Sequence, residues 1–412
     1  MTKLLEWEVD VGQRDAVLAD FLKGTPVDVP LSKRIKDLQA QLVRTKDYVS
    51  RQGATVTPRP FWVVEVVTAR RRTGKGGEDI VPLLMNDTVT VASSRKASLV
   101  QGQGKRKETW RGCTIRGSVS TRYVFGLVTS RYVGSFSILH RDLCVLPAKE
   151  TDGGLDVMHH LASKAKEQRA LVEEDGELKA LRVWVREAQT FWKQKRKEDQ
   201  QELCTERLDY QRTLSHQPPN GFRVVHTRSG NFYAALLRPS ATTTTGFLPN
   251  ELKVKSWRNG KIAGEEERKI GGCVVDNLLH WIGVSSIQEG HWLVAILNSE
   301  PFIKRLDSEL HGRDTYSAPS RILADAGLRF DPSDAIHLAL ADRAKLIEST
   351  KLIYDRRMLV EECGKEVVES IDDSDVTPEL PRLKWTFEEL CHTDPDVAAS
   401  ISKINSLVAK IL

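Results

Sequence analysis

HWLVAILNSEPF, residues 291–302, is the stretch whose reading decides the fold of this chain. Its apolar run, Trp292 to Leu297, stops at Asn298-Ser299, and the chain then turns basic with Lys304, Arg305 and His311-Gly312-Arg313-Asp314. Asn and Ser suit helix ends because their side chains bond nearby backbone groups. The spacing therefore predicts helical structure over 286–310, with Leu297 in the core and Asn298-Ser299 closing a buried helix.

Outward from that helix, 334–363 reads as a long polar helix, and 364–396 as an acidic, proline-containing tail followed by a short helix in SISKINSLVAKIL. Toward the N-terminus come strands at FRVVHT (222–227) and NFYAALLR (231–238). Asn259-Gly260, between KVKSW and KIA, is a hairpin-turn signal. SHQPPNG (215–221) is a stop signal, because proline cannot continue a helix. Before it, 155–216 has the helical period, with Trp184, Ala188 and Phe191 on one face and a break expected near Glu174-Asp175-Gly176. FWVVEVV (61–67), TVTVAS (88–93), CTIRGSV (113–119) and RYVFGLVT (122–129) are short, β-branched and glycine-punctuated, as strands are. Leu31, Ile35, Leu38, Leu42 and Val43 give the first fifty residues one apolar helical stripe. The expected class is α+β: β-rich modules joined by a long helical arm, with a C-terminal helical segment. The expected divisions are a helical segment at 1–50, a β-rich module with basic loops at 51–150, a helical connector at 151–217, an α+β domain at 218–350 and a helical, acidic region at 351–412.

A chain of 412 residues exceeds one ordinary core. Its 40% hydrophobic and 28% charged residues are globular composition, and its net charge of +5 permits a nucleic-acid partner if the basic residues cluster. The six cysteines are scattered without a CxxC pair, so buried thiols are expected rather than structural zinc. The acidic residues of MTKLLEWEVDVGQRD do not suit a signal peptide, and no apolar run reaches the roughly 18 residues of a membrane span. A soluble, cytoplasmic protein is expected.

Motifs that carry chemistry are not found. GQG (102–104) lacks the strand before it and the helix after it that a cofactor loop requires, and RTGKGGED (72–79) lacks phosphate-loop spacing, so both read as surface loops. His159 and His160 are neighbours, which a helix sets about 100° apart, unsuited to one metal ion. Asp372, Asp373 and Asp375 read as part of a solvated linker. No catalytic residue and no metal ligand is assigned.

Three basic segments differ in kind. Arg70, Arg71, Arg72 and Lys75 form one. Lys105, Arg106, Lys107 and Arg111, beside Trp110, form the second, and Lys253, Lys255, Trp257, Arg258 and Lys261 the third. Each interrupts β structure, and cations mixed with indoles suit a phosphate backbone with a base to stack on. Ordinary solubilising surface charge is the competing reading.

In VVDNLLHWIGVSSIQEGHWLVAILNSEPFIKRL (274–306), Asp276-Asn277, Trp281, Glu289 and Leu297-Asn298-Ser299 fall in a set order. Arg313-Asp314, Phe330-Asp331-Pro332, Asp334 and His337 follow in 311–349. This order resembles the target-recognition region of large adenine-N6 DNA methyltransferases of the restriction–modification and phage-defence type. SFSILHRDLCVLPAKETDG (135–153), the Trp184–Trp192 helix and LCTERLDYQRTLSHQ (203–217) resemble the connecting part of those enzymes, and the likeness covers most of 115–350. The resemblance implies that 218–350 is target-recognition-like, that double-stranded DNA is the partner, and that the basic segments and Arg313 contact it. The family's glycine-rich cofactor loop and its Asn/Asp-Pro-Pro-Tyr/Phe loop, which accepts a flipped adenine, are absent; Pro218-Pro219 follows Gln217 and precedes Asn220. The implied protein is thus the DNA-reading portion without its own S-adenosylmethionine site, a separate subunit or a piece of an interrupted gene, with a catalytic methyltransferase subunit as possible partner. A non-catalytic protein-interaction scaffold, docking through the helical arm and acidic tail, is the alternative.

Overall fold

The computed structural model describes residues 48–66, 68–72, 78–82, 84–85, 88–94, 110, 112–163, 176–198, 200–228, 231–238, 251–258, 261–310, 318–363 and 386–412. Residues 1–47 of the expected N-terminal helical segment and 364–385 of the expected acidic tail (364–396) lie outside the described residues, whereas 386–396, expected as tail, fall in the helices Thr386–Thr393 and Pro395–Ile411. Ser50–Leu412 forms one unit, an α+β fold built on two sheets.

The strands in chain order are β1 (Arg51–Gln52), β2 (Val63–Val66), β3 (Thr68–Arg72), β4 (Glu78–Pro82), β5 (Leu84–Met85), β6 (Thr88–Ser93), β7 (Arg116–Ser120), β8 (Val124–Val128) and β9 (Asp142–Val145). They continue with β10 (Ala148–Thr151), β11 (Gly154–Val157), β12 (Arg223–Thr227), β13 (Ala234–Leu237), β14 (Glu251–Arg258), β15 (Lys261–Lys269), β16 (Cys273–Val275) and β17 (Leu279–Gly283). The helices are α1 (Arg59–Trp62), α2 (Gly176–Lys195), α3 (Cys204–Leu208), α4 (Ile287–Leu297), α5 (Glu300–Leu310), α6 (Ala318–Asp325), α7 (Ala335–Cys363), α8 (Thr386–Thr393) and α9 (Pro395–Ile411).

The larger sheet runs β16-β8-β9-β2-β6-β5, with β7 also paired to β6; the smaller is β1-β17-β12-β13, and β3–β4, β10–β11 and β14–β15 are two-stranded ribbons. All pairs are antiparallel except β16 with β8, which sets Cys273 beside Gly126. One core fills the larger sheet and α2: Phe61, Trp62, Phe125, Trp184 and Val185 are buried there, and the Trp184 indole donates to the Phe61 carbonyl at 2.9 Å. A second lies against the smaller sheet, with Val128, Val225, Leu237, Val275 and Trp281.

Some expectations change. FWVVEVV begins as the α1 turn, because Pro58 and Pro60 favour a helix start, and becomes a strand only at Val63. The expected helix from 155 opens instead as the β10–β11 hairpin followed by a 3-10 turn at His159–Ala162. Helical structure at 286–310 is two helices, α4 and α5, split at Asn298-Ser299.

α4 is the hub. Gly290 to Leu297 are all buried, as expected of a helix apolar on every side. It packs on α7 and on β13, closely enough at Gly290 that a Cβ there would meet Leu236 Cδ1 at 2.4 Å and displace that side chain. The N-terminus of α4 carries a reciprocal cap, with Glu289 N donating to Ser286 Oγ and Ser285 N donating to the Glu289 carboxylate.

The cysteines Cys113, Cys144, Cys204 and Cys273 are buried free thiols, and Cys391 is half-buried. Among the described residues no helix is long and apolar enough to cross a membrane, and no three His, Cys, Asp or Glu side chains are grouped to hold a metal.

Candidate nucleic-acid interface

Two of the three basic segments lie on two-stranded ribbons. Arg70, Arg71 and Arg72 are on β3, opposite Ile80, Asp79 and Glu78 of β4. Lys253, Lys255, Trp257 and Arg258 are on β14 and Lys261 on β15. Arg258 pairs directly with Lys261, while the expected turn at Asn259-Gly260 lies outside the described residues. Eight- and nine-residue strands give a ribbon roughly 27 Å long at about 3.3 Å per residue. β14 approaches β4 and β5, so the fold brings the ribbons carrying 70–72 and 253–261 side by side.

The base of the long ribbon is fixed. After β15, Gly271 N donates to Val124 O at 2.8 Å and Gly126 N to Gly272 O at 2.8 Å, joining the ribbon to the larger sheet. At the end of β13, Arg238 is ion-paired with Glu348 of α7, whose other oxygen lies 2.8 Å from His291 Nε2 of α4. One carboxylate thus ties the strand that leads toward β14 to the buried helix pair.

The register sets Glu251 opposite Lys269, Lys253 opposite Glu267 and Lys255 opposite Glu265, three successive acid–base residue pairs along the ribbon. Arg71 and Arg72 are matched in the same way by Asp79 and Glu78. Past the register shift between Ser256 and Trp257, the register sets Arg258 opposite Lys261.

Trp110, expected to be free for stacking on a base, is part of the core edge. Its ring lies parallel to Trp192 at 5.4 Å and edge-on to Phe61 at 5.2 Å. Lys75, Lys105, Arg106, Lys107, Arg111 and Arg313 lie outside the described residues.

Several of the described residues that carried the family resemblance are packing and capping groups. Asn298 bonds both backbone groups of Ala234, and Ser299 Oγ donates to Ile296 O at 2.6 Å and accepts from Phe302 N at 3.4 Å, starting α5. Asp334 caps α7 by accepting from Ile336 N and His337 N at 2.7 and 3.2 Å. The His337 ring lies 5.1 Å from Trp292 and 6.1 Å from Phe330, and its Nδ1 accepts from Asp331 N at 2.9 Å. Asp276, at the turn before β17, is ion-paired with Arg59 at 3.0 Å, and burial still holds its carboxyl above the usual range. These groups fasten α4 to the smaller sheet and α7 to α4.

The larger buried charges are spoken for in the same way. The Arg223 guanidinium donates to Cys273 O at 2.7 Å and Gln217 Oε1 at 3.2 Å, and complete burial pushes its pKa down to about 10. His226 faces His280 across β12 and β17, and burial followed by His280 pushes it down to about 3.

The fold and these sites define an α+β protein with two adjoining charged β-ribbons anchored to a buried helix pair. No family model matches the chain, and no curated protein matches it.

Proposed function

We propose that this chain is the DNA-binding target-recognition part of an adenine-N6 DNA methyltransferase of a restriction–modification or phage-defence system, working beside a catalytic subunit that binds S-adenosylmethionine. The observation that carries the reading is the adjacency of β14 to β4 and β5, which sets two basic ribbons together. A two-stranded ribbon fits the major groove of B-form DNA, where base edges are distinguishable. The order of sequence words across 115–350 supports the same reading.

The protein-interaction scaffold is the second reading, and the charge register favours it at one point. In the register Lys253, Lys255, Arg71 and Arg72 each stand opposite an acidic residue, so basic residues do not run unbroken along the ribbons.

Fluorescence anisotropy of the full chain with a mixed-sequence duplex, over a series of salt concentrations, separates the two. The DNA reading expects affinity to fall steeply with salt, by a slope of about −0.9 per phosphate neutralised. No binding at low salt rules it out. With radiolabelled S-adenosylmethionine and the same duplex, the chain alone is expected to transfer no label; labelled adenine without a partner would overturn the division of labour.

A further inference from the structure

Of the described residues other than glycine, three have positive φ: Phe136 at 65°, Gln211 at 56° and Arg212 at 58°. L-residues with side chains seldom adopt this region, and it persists only where the surroundings enforce it. At Phe136 packing explains it: the side chain is buried, its ring lies 5.5 Å from Phe387, and its amide donates to Ala234 O. At Gln211 and Arg212 nothing comparable exists. Both side chains are exposed, and among the described residues neither the carboxamide nor the guanidinium has a hydrogen-bond or ion-pair partner.

The backbone beneath them is nevertheless held firmly. Thr213 N donates to Tyr210 O at 3.3 Å, closing a turn with Gln211 and Arg212 at its centre. Arg212 N donates to Asp209 O at 2.9 Å, and the largely buried Asp209 carboxylate accepts from Leu214 N at 3.0 Å, Ser215 N at 2.9 Å and the Ser215 hydroxyl. Tyr210, 46% exposed, has the Arg207 guanidinium 4.8 Å from its ring centre. A caged carboxylate thus displays an aromatic ring, a carboxamide and a guanidinium on a rigid left-handed turn. Tyrosine supplies a flat face, glutamine pairs with an adenine edge, and arginine pairs with a guanine edge or a phosphate. Rigid display limits the ordering cost on binding.

We infer that the Tyr210–Gln211–Arg212 turn is a second DNA-contacting element, distinct from the ribbons, that reads duplex DNA; this rests on the DNA-binding reading above. The test exploits the left-handed backbone. Glycine adopts positive φ without strain, so Gln211→Gly with Arg212→Gly removes both side chains and keeps the turn. The double variant is expected to melt at or above the parent temperature, yet to bind a mixed-sequence duplex about tenfold more weakly, with a salt slope shallower by about one. Tyr210→Ala is expected to weaken binding with the slope unchanged. Parent-like affinity and slope in the glycine variant, with the parent binding DNA, overturn this inference and leave the ribbon reading standing. A parent that binds no duplex overturns both.

Discussion

The side-chain amide of Asn298 pairs with the backbone of Ala234 as a neighbouring strand would: Ala234 N donates to Oδ1 at 3.0 Å and Nδ2 donates to Ala234 O at 2.8 Å. Nδ2 also donates to Val294 O at 2.9 Å, so the same group closes α4 and fastens it to β13. An amide is the side chain that offers a donor and an acceptor side by side. Asn298→Ala leaves both Ala234 groups without this partner and is expected to cost about 1–3 kcal/mol. Asn298→Asp turns the donating edge into an acceptor facing two carbonyls and is expected to cost more than alanine. Denaturant midpoints of the two variants check the order.

Glu348 is nearly buried and shared by Arg238 and His291. Glu348→Ala strands a guanidinium and an imidazole near the core, and removing one partner of a buried ion pair costs about 3–5 kcal/mol. Glu348→Gln keeps the shape and one acceptor, so it is expected to fall between alanine and the parent. Equal melting temperatures for all three proteins would show that the group carries no such load.

His226 gives stability a defined pH dependence. Its ring is buried, in edge contact with His280 at 5.4 Å, and its Nε2 lies 2.8 Å from Ser50 Oγ. Folded, it titrates near pH 3 instead of 6.5, so it stays neutral where the unfolded chain takes up a proton. Its contribution is therefore complete above about pH 6.5 and lost as the pH falls. Between pH 7.5 and 5.5 the parent is expected to lose about 1.4 kcal/mol more than His226→Gln. Parallel losses in the two proteins, measured by denaturant unfolding, would contradict this.

Much of this fold was legible where the signal is local. The alternation of TVTVAS gives β6, the polar period from 334 gives α7, and Leu297 is fully buried as its run predicted. What was not legible depends on partners distant in sequence. β16 is three residues long and exists as a strand because it lies parallel to β8. The run from 155 has a helical period, yet Leu155 N donates to Ser215 O and Gly154 fits only because a Cβ would meet that same oxygen at 2.0 Å, so tertiary packing selects a hairpin. In the candidate interface, the basic residues were visible but their acidic partners were not, since Lys253 and Glu267 become neighbours only through the register. The Tyr210–Arg212 turn carries no glycine to announce it.

That register gives the ribbon a graded expectation. Along the stem, Lys253 and Lys255 stand opposite Glu267 and Glu265, whereas Arg258 and Lys261 at the tip stand opposite each other. The register thus mixes acidic with basic residues along the stem and sets two basic residues together at the end of the ribbon. Arg258→Ala with Lys261→Ala is therefore expected to lower the salt slope of duplex binding by about two, one for each phosphate no longer neutralised. Lys253→Ala with Lys255→Ala is expected to change the slope less and to destabilise the hairpin slightly, because cross-strand opposite charges contribute roughly 0.2–1 kcal/mol each. Reversing the acids, Glu265→Lys with Glu267→Lys, raises the local positive field and is expected to tighten non-specific binding at low salt. Anisotropy titrations of the three double variants decide the matter: a larger loss from the stem pair than from the tip pair would mean that the paired lysines, and not the tip, meet the DNA.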